Sequence, residues 1–291
     1  MTSVSRTHLT PNGTSIHYLS SGNQQGQLAV LLHGLGGSTE TFRPLLPSIP
    51  PSYHVISVDV EGFGKSPLNA DKPLSFPRYV ADIHDLITHV QEHSPAPAPN
   101  GTSSSSSSSS DDTAVLLIGH SLGAIISLHY AAQYPTEVTG LLLLGVGRSI
   151  RTIPLAQQRM RDLATTARQQ GMDAVCEIAV KTNFPTDREN QDEHIQELWK
   201  AVISCDPEAY AVSAEVVASD QHFDPDYSLI KCPAVFVAGD KDMISPPQRS
   251  IDVSNLLGGS TEVFTVTSGH QMILQDLDGV RKGLSALVAR L

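Results

Sequence analysis

One short stretch limits the fold of this chain more than any other: Gly119-His120-Ser121-Leu122-Gly123. An apolar run over 114–118 precedes it and a run with helical character over 124–134 follows it, so the order is strand, sharp turn, helix. Such a turn strains the backbone of its central serine and needs small residues two positions away on each side, which the two glycines provide. The pattern predicts a serine nucleophile at a strand end, although a glycine-rich turn that happens to contain serine is the alternative.

Short apolar runs alternate with helical runs along the rest of the chain. Buried strands are expected at 28–32, 54–58, 114–118, 140–144 and 234–238, with a more alternating strand at 261–266 near a sheet edge. Helices are expected at 39–46, capped by Ser38, and at 76–93, 124–134 and 278–291. Pro11-Asn12-Gly13 between 6–9 and 15–19 predicts a hairpin. Strands separated by helices predict an α/β fold, a doubly wound and mostly parallel sheet of about eight strands with sites at the carboxyl ends.

Two segments interrupt this alternation. Residues 94–112 combine Pro-Ala repeats, eight consecutive serines and two aspartates, a composition that predicts a disordered loop within the core. Residues 150–223 are rich in helical patterns, contain no buried-strand run and are too long for a plain connection. We therefore expect a core domain of residues 1–149 and 224–291, with a helical lid of residues 150–223 inserted over the site.

A serine hydroxyl needs a base, and His270 is the best candidate among twelve histidines. It follows the predicted strand at 261–266, so its loop can reach the carboxyl end of the sheet. The base in turn needs a carboxylate to fix its tautomer, and Asp240 and Asp242 both follow the strand at 234–238. Asp242 is the preferred candidate, which gives the chain order serine, acid, histidine.

Acyl transfer also needs donors for the developing oxyanion. The backbone N–H of Leu122, directly after the serine, is one candidate. The other is the N–H of Leu35 in the loop His33-Gly34-Leu35-Gly36-Gly37, whose glycines allow the backbone to approach a substrate closely.

Five sequence pieces, in this order and spacing, resemble the α/β-hydrolase superfamily over nearly the whole chain: 33–36, 59–66, 119–123, 239–242 and 269–270. The resemblance places the acid three residues after a glycine, which favours Asp242 over Asp240. Glu61 departs from the family pattern, since arginine is common there, and this puts a structural salt bridge in doubt.

Within the superfamily the chain resembles the branch of 3-oxoadipate enol-lactonases and related ring-cleavage hydrolases, because residues 206–211 look like their last lid helix. Carbon–carbon hydrolases of the branch often have an aromatic residue after the histidine, and here it is Gln271. The resemblance therefore implies a serine hydrolase of small-molecule esters or lactones that works through an acyl-enzyme without a cofactor. A carbon–carbon bond hydrolase or lyase on the same triad, and a hydrolase-fold receptor for a small molecule, remain alternatives.

Two further groups have a functional and a plain interpretation. Arg148 and Arg151 lie where the lid begins and are candidates for binding a substrate carboxylate, or they are exposed arginines at a hinge. His89 and His93 have a spacing that metal sites use, but no third ligand is evident, so no metal is expected.

The net charge of −11 at pH 7 disfavours nucleic acid and anionic membranes as partners. Three cysteines without metal or redox spacing, and an N-terminus without an apolar signal core, predict a cytoplasmic protein. The ending Ala289-Arg290-Leu291 is a variant of the peroxisomal Ser-Lys-Leu address, which makes the peroxisome the alternative. The sequence makes no prediction of oligomeric state.

Overall fold

The structure, a computed structural model, describes residues 2–94, 114–185 and 191–291. Within these ranges eight strands form one sheet: β1 Val4–Leu9, β2 Ser15–Gly22, β3 Leu28–Leu32, β4 His54–Val58, β5 Val115–His120, β6 Val138–Leu144, β7 Ala234–Gly239 and β8 Thr261–Val266. Their order across the sheet is β1-β2-β4-β3-β5-β6-β7-β8. The β1–β2 and β2–β4 pairs are antiparallel and all other pairs are parallel, which confirms the predicted sheet.

The helices of the described residues are α1 Phe76–Glu92, α2 Leu122–Gln133, α3 Pro154–Gln170, α4 Met172–Asn183, α5 Asp192–Ile203, α6 Pro207–Ala218, α7 Pro247–Ser254, α8 Met272–Gln275 and α9 Leu277–Val288. Helices α1, α2 and α7 pack on one face of the sheet, and α9 packs on the other. Along β3, Val30 and Leu32 point to the first face while Ala29 and Leu31 point to the second. Because helices cover both faces, the central strand β3 is apolar at every position.

The prediction of a continuous helix at 39–46 is wrong. The chain instead makes two short 3₁₀ turns, Thr39–Phe42 and Leu46–Ser48. Ser38 does cap the first turn, with its side chain accepting a hydrogen bond from the N–H of Glu40. Pro44 and Pro47 have no N–H to donate to a carbonyl one turn back, so a continuous α-helix cannot form across this segment.

Helices α3 to α6 lie between β6 and β7 and make up what we call the helical insert, residues 150–223. Helix α3 packs along α6, and α4 packs along α5. The two ends of the insert meet each other, because the N–H of Ser149 donates to the carboxylate of Asp224 at 2.8 Å. The loop predicted at 94–112 falls outside the described residues, apart from Ser94.

Glu61 takes part in an ion pair after all. Its carboxylate lies 2.6 Å from the guanidinium of Arg78, and both side chains are almost fully buried. Position 61 therefore does form a salt bridge, although it contributes the acid and not the arginine that is common there. The pair ties the loop after β4 to the first turn of α1.

Candidate active site

Ser121 sits between β5 and α2 with φ 51° and ψ −111°, the one non-glycine residue with positive φ in the described part of the chain. The turn leaves no room for side chains beside it. A Cβ at Gly119 would lie 2.6 Å from the carbonyl oxygen of Gly123, and a Cβ at Gly123 would run into the carbonyls of Leu32 and His33. The two glycines thus let α2 start directly above β5 and β3, with Ser121 at the carboxyl end of the sheet.

The structure brings the three side chains of the predicted triad into contact. His270 Nε2 lies 2.9 Å from Ser121 Oγ, and His270 Nδ1 lies 2.7 Å from Asp242 Oδ2. His270 and Asp242 are buried, while Ser121 is partly exposed. Since a carboxylate only accepts, Nδ1 carries the proton, and Nε2 is left to accept from the serine hydroxyl. This is the geometry that general-base activation of a serine requires.

The two candidate acids have different partners. Asp242 Oδ1 accepts hydrogen bonds from the N–H groups of Ile244 and Ser245, each at 2.8 Å. Burial alone would raise the pKa of Asp242, but His270 and these two donors outweigh burial and hold the pKa below its ordinary value. Asp240 instead accepts from the backbone N–H of Ser268 at 2.9 Å and so supports the loop that carries His270.

The two predicted oxyanion donors flank the serine. Leu122 is the first residue of α2, so its N–H belongs to the group that has no acceptor within the helix. Leu35 follows Gly34, where a Cβ would lie 3.0 Å from the Cβ of Ser121, which brings this loop against the nucleophile. The positive φ of Gly36, 79°, turns the loop at this point.

Two buried histidines support the site, and sequence reasoning assigned neither this role. His33 accepts from the N–H of Val60 at 3.1 Å through Nε2, so its Nδ1 holds the proton and donates to the carbonyl of Gly34 at 2.7 Å. His120 Nε2 lies 2.9 Å from the carbonyl oxygen of His270, to which it donates. Burial, aided by the neighbouring His270, lowers the pKa of His120 to about 3, so this ring stays neutral. His120 therefore holds the His270 loop.

A cavity of about 340 Å³ borders the oxyanion loop. Gly34, Leu35, His120 and Gln271 line one side of it. The apolar part of the lining comes mainly from α8, and polar or charged residues at 38–43 and on α5 line much of the rest. Its rim carries two exposed ion pairs, Glu40 with Arg43 and Glu197 with Lys200.

Arg148 and Arg151 line a different cavity, of about 690 Å³, between the start of the insert and α7. The guanidinium of Arg148 donates to the carboxylate of Asp224, with Nε at 2.9 Å. The guanidinium of Arg151 lies 4.2 Å from the centre of the Phe223 ring. Neither residue borders the cavity beside Leu35, and the partners described for them are Asp224 and Phe223 and not the triad.

In the described ranges no three His, Cys, Asp or Glu side chains are grouped as metal ligands would be. None of the described helices combines the length and apolar character needed to cross a bilayer.

Comparison with known proteins gives related sequences and structures. Lipase 1 of Psychrobacter immobilis is 24% identical over 281 residues, covering 92% of this chain and 78% of the lipase. A thermophilic esterase from Thermogutta terrifontis superposes with a TM-score of 0.80 at 19% identity, covering 99% of this chain and 98% of the esterase. The enol-lactonase from Burkholderia xenovorans LB400 gives a TM-score of 0.79 at 18% identity, covering 98% and 100%.

At these identities the solved structures establish the fold alone. The family assignment comes from the sequence, because the model of the alpha/beta hydrolase family matches residues 29–280, which is most of the chain. The chain therefore belongs to the alpha/beta hydrolase family, as its motifs predicted, and is an enzyme of the hydrolase class.

Proposed function

We propose that this enzyme hydrolyses the carboxylic ester or lactone of a small molecule through an acyl-enzyme on Ser121. The observation that carries the proposal is the unbroken series of contacts from Ser121 Oγ to the His270 ring and on to Asp242, at 2.9 and 2.7 Å. The strained backbone of Ser121 supports it independently, since strain of this kind persists where the surrounding structure holds a residue in place for a task.

In the proposed mechanism Ser121 Oγ attacks the ester carbonyl carbon while His270 Nε2 takes the hydroxyl proton. The carbonyl oxygen becomes an oxyanion and accepts hydrogen bonds from the N–H groups of Leu122 and Leu35. When the C–O bond to the alcohol breaks, His270 returns the proton to the leaving oxygen. Water then attacks the acyl-enzyme, His270 again taking and returning one proton, and the acid leaves with Ser121 restored. Asp242 stays ionised and stabilises the imidazolium in both halves.

The size of the 340 Å³ cavity favours a small substrate, and its mixed lining fits one with both an apolar and a polar part. The names of the relatives, a lipase, an esterase and an enol-lactonase, support ester and lactone bonds as the reacting group. The carboxylate-binding role of Arg148 and Arg151 stays a prediction, and the hydrogen bonds from Arg148 to Asp224 weigh against it for that residue.

Labelling with a fluorophosphonate, followed by mass spectrometry of the labelled peptide, tests the nucleophile. We expect one label, on Ser121, and its complete loss in Ser121→Ala. Ser127→Ala is the matched control, because Ser127 lies on the same helix and its hydroxyl is bonded only to the carbonyl of Gly123. Equal labelling of the parent and Ser121→Ala would refute the proposal.

A panel of p-nitrophenyl esters and simple lactones tests the bond that is cleaved. We expect turnover that disappears in Ser121→Ala and persists in Ser127→Ala. Labelling at Ser121 without turnover of any ester or lactone would refute ester hydrolysis. That result would favour one of the two alternatives, a carbon–carbon bond hydrolase or a small-molecule receptor.

We propose a cytoplasmic location, supported by three free and buried cysteines, Cys176, Cys205 and Cys232. Import into peroxisomes through Ala289-Arg290-Leu291 is the alternative. An N-terminal fluorescent fusion, compared with the same fusion lacking the last three residues, separates the two: punctate fluorescence that becomes diffuse on truncation would refute the cytoplasmic assignment.

A further inference from the structure

The loop that carries His270 is bonded to the helical insert as well as to the core. On the core side, His120 donates to its carbonyl oxygen and Asp240 accepts from the N–H of Ser268. On the insert side, the N–H of His270 donates to the carbonyl oxygen of Asn183, the last residue of α4, at 3.0 Å.

The side chain of Asn183 makes a second bond to the same loop. Its Oδ1 accepts from Nε2 of Gln271, the residue after His270, at 2.7 Å. Its Nδ2 donates to the carbonyl of Ala179 at 2.8 Å, which fixes the orientation of the amide. Asn183 is 7% exposed, so little water is at hand to replace these bonds.

The fit between the loop and α4 is close. A Cβ at Gly269 would run into the carbonyl of Asn183 and would lie 2.9 Å from Cδ of Pro185. Gln275, at the end of α8, accepts from the N–H of Gly269 at 3.0 Å and donates to the side chain of Gln191, just before α5, at 2.9 Å. The insert therefore contacts the loop on both sides of His270.

From these contacts we infer that Asn183 and Gln271 are positioning residues, through which the helical insert holds the catalytic base in register with Ser121. The inference rests on the proposed function, since it assigns a role to His270. The physical reason is that Nε2 of His270 must stay within hydrogen-bond reach of Ser121 while Nδ1 stays on Asp242. A displacement of about 1 Å in such a group costs roughly 100-fold in rate.

A consequence follows for the motion of the insert. If the whole insert swung away from the core, the Asn183 carbonyl would leave the N–H of His270 and the base would lose its support. Substrate must therefore enter while the end of α4 stays docked, by movement of α5 or α6 or of side chains at the cavity rim. The insert is then part of the catalytic machinery as well as a cover.

The test removes the side-chain bond from either end and measures p-nitrophenyl butyrate hydrolysis and the rate of fluorophosphonate labelling. Gln271→Met and Asn183→Leu keep the side-chain size and delete the bond. We expect kcat and the labelling rate to fall about tenfold in each, with KM within about twofold, because the loss is in positioning and not in binding. The double variant should be no slower than the slower single variant, since both remove one interaction.

Two further variants separate positioning from general destabilisation. Asn183→Asp keeps an acceptor for Gln271 but loses the donor to Ala179, so we expect it to recover part of the kcat lost in Asn183→Leu. Gln157→Met is the matched control inside the insert: Gln157 is buried on α3 and its amide donates to Ala218 and Asp220, away from the His270 loop. It should lower the unfolding temperature without changing kcat.

The outcomes distinguish the inference from the function on which it rests. A parent enzyme that labels at Ser121 and cleaves the ester, together with unchanged kcat in Gln271→Met and Asn183→Leu, would overturn the inference alone. Equal losses of kcat in Gln157→Met would also overturn it, because any weakening of the insert would then be enough. A parent enzyme without labelling at Ser121 would overturn both.

Discussion

Replacing Gly123 by alanine gives the sharpest test of how the turn at Ser121 is built. The new Cβ would lie 2.7 Å from the carbonyl oxygen of His33 and closer still to the carbonyl of Leu32, both main-chain groups that cannot turn aside. To bring the Leu32 oxygen from 1.9 Å to an ordinary contact distance, α2 and β3 must separate by about 1.5 Å in an interior that is close-packed. Leu122 is the first residue of α2 and Leu35 lies in the loop after β3, so the two oxyanion donors must move apart.

The expected cost to catalysis is much larger than the cost to stability. Overpacking of this kind destabilises by about 1 to 3 kcal/mol, and replacing glycine near the start of a helix returns about 0.5 to 1 kcal/mol of that. The net loss should therefore lie between about 0 and 2.5 kcal/mol. Displacing one oxyanion donor costs about 10² to 10³ in kcat.

The assay compares Gly123→Ala with Gly140→Ala, a glycine inside β6. There the new Cβ would meet only the flexible ends of Leu291 and Leu287, at 3.0 and 3.2 Å. We expect Gly140→Ala to retain kcat for p-nitrophenyl butyrate within about threefold, because side-chain ends can shift away from the Cβ. Both variants should still unfold cooperatively in urea. Parent-like kcat in a folded Gly123→Ala would refute the argument that the position demands glycine.

Three other changes have definite expected outcomes. Asp242→Asn should lower kcat by about 10⁴, because an amide can hold the His270 ring in the wrong tautomer. Since the pKa of Asp242 is lowered in the folded state, the parent enzyme should also lose stability as the pH falls below about 4. Urea titrations at several pH values should show a shallower loss of stability in the variant. Arg78→Met should destabilise the fold by about 3 to 5 kcal/mol, because it leaves the Glu61 carboxylate buried without its ion-pair partner. Adding Glu61→Leu should recover part of the lost stability. A double variant no more stable than Arg78→Met would contradict this prediction. Arg148→Gln should cost no more than about 1 kcal/mol by loss of its pair with Asp224 and leave the rate ratio of anionic to neutral esters unchanged; a selective loss with anionic esters would restore Arg148 as a substrate ligand.

The strands and the positions of Ser121, Asp242 and His270 were within reach of sequence reasoning for a physical reason. Strands buried on both faces, such as β3, are apolar at every position, and this pattern does not depend on the rest of the fold. A turn that strains the backbone requires glycine at fixed positions in the sequence, as two residues before and two residues after Ser121. Once the parallel order of the strands is inferred, their carboxyl ends must share one edge.

What the sequence did not reveal depends on contacts between distant segments. The ion pair of Glu61 with Arg78 and the bond between Asn183 and Gln271 join polar residues that have no periodic pattern and lie 17 and 88 positions apart. The helix expected at 39–46 failed for a local reason, because Pro44 lies inside it and cannot donate to the carbonyl one turn back. The polar role of His120 was missed because side-chain direction at a strained turn cannot be read from sequence order.

The meeting of the two ends of the insert has a consequence for engineering. Residues 148 and 149 bind Asp224 directly, so the first and last residues of the insert lie close together. A foreign helical cassette grafted between these positions would have to span almost no distance, and the sheet would keep its strand order. Such a chimera would also need to supply a carbonyl where Asn183 now stands, since a graft chosen only to fit the junction would leave the base without its outer support.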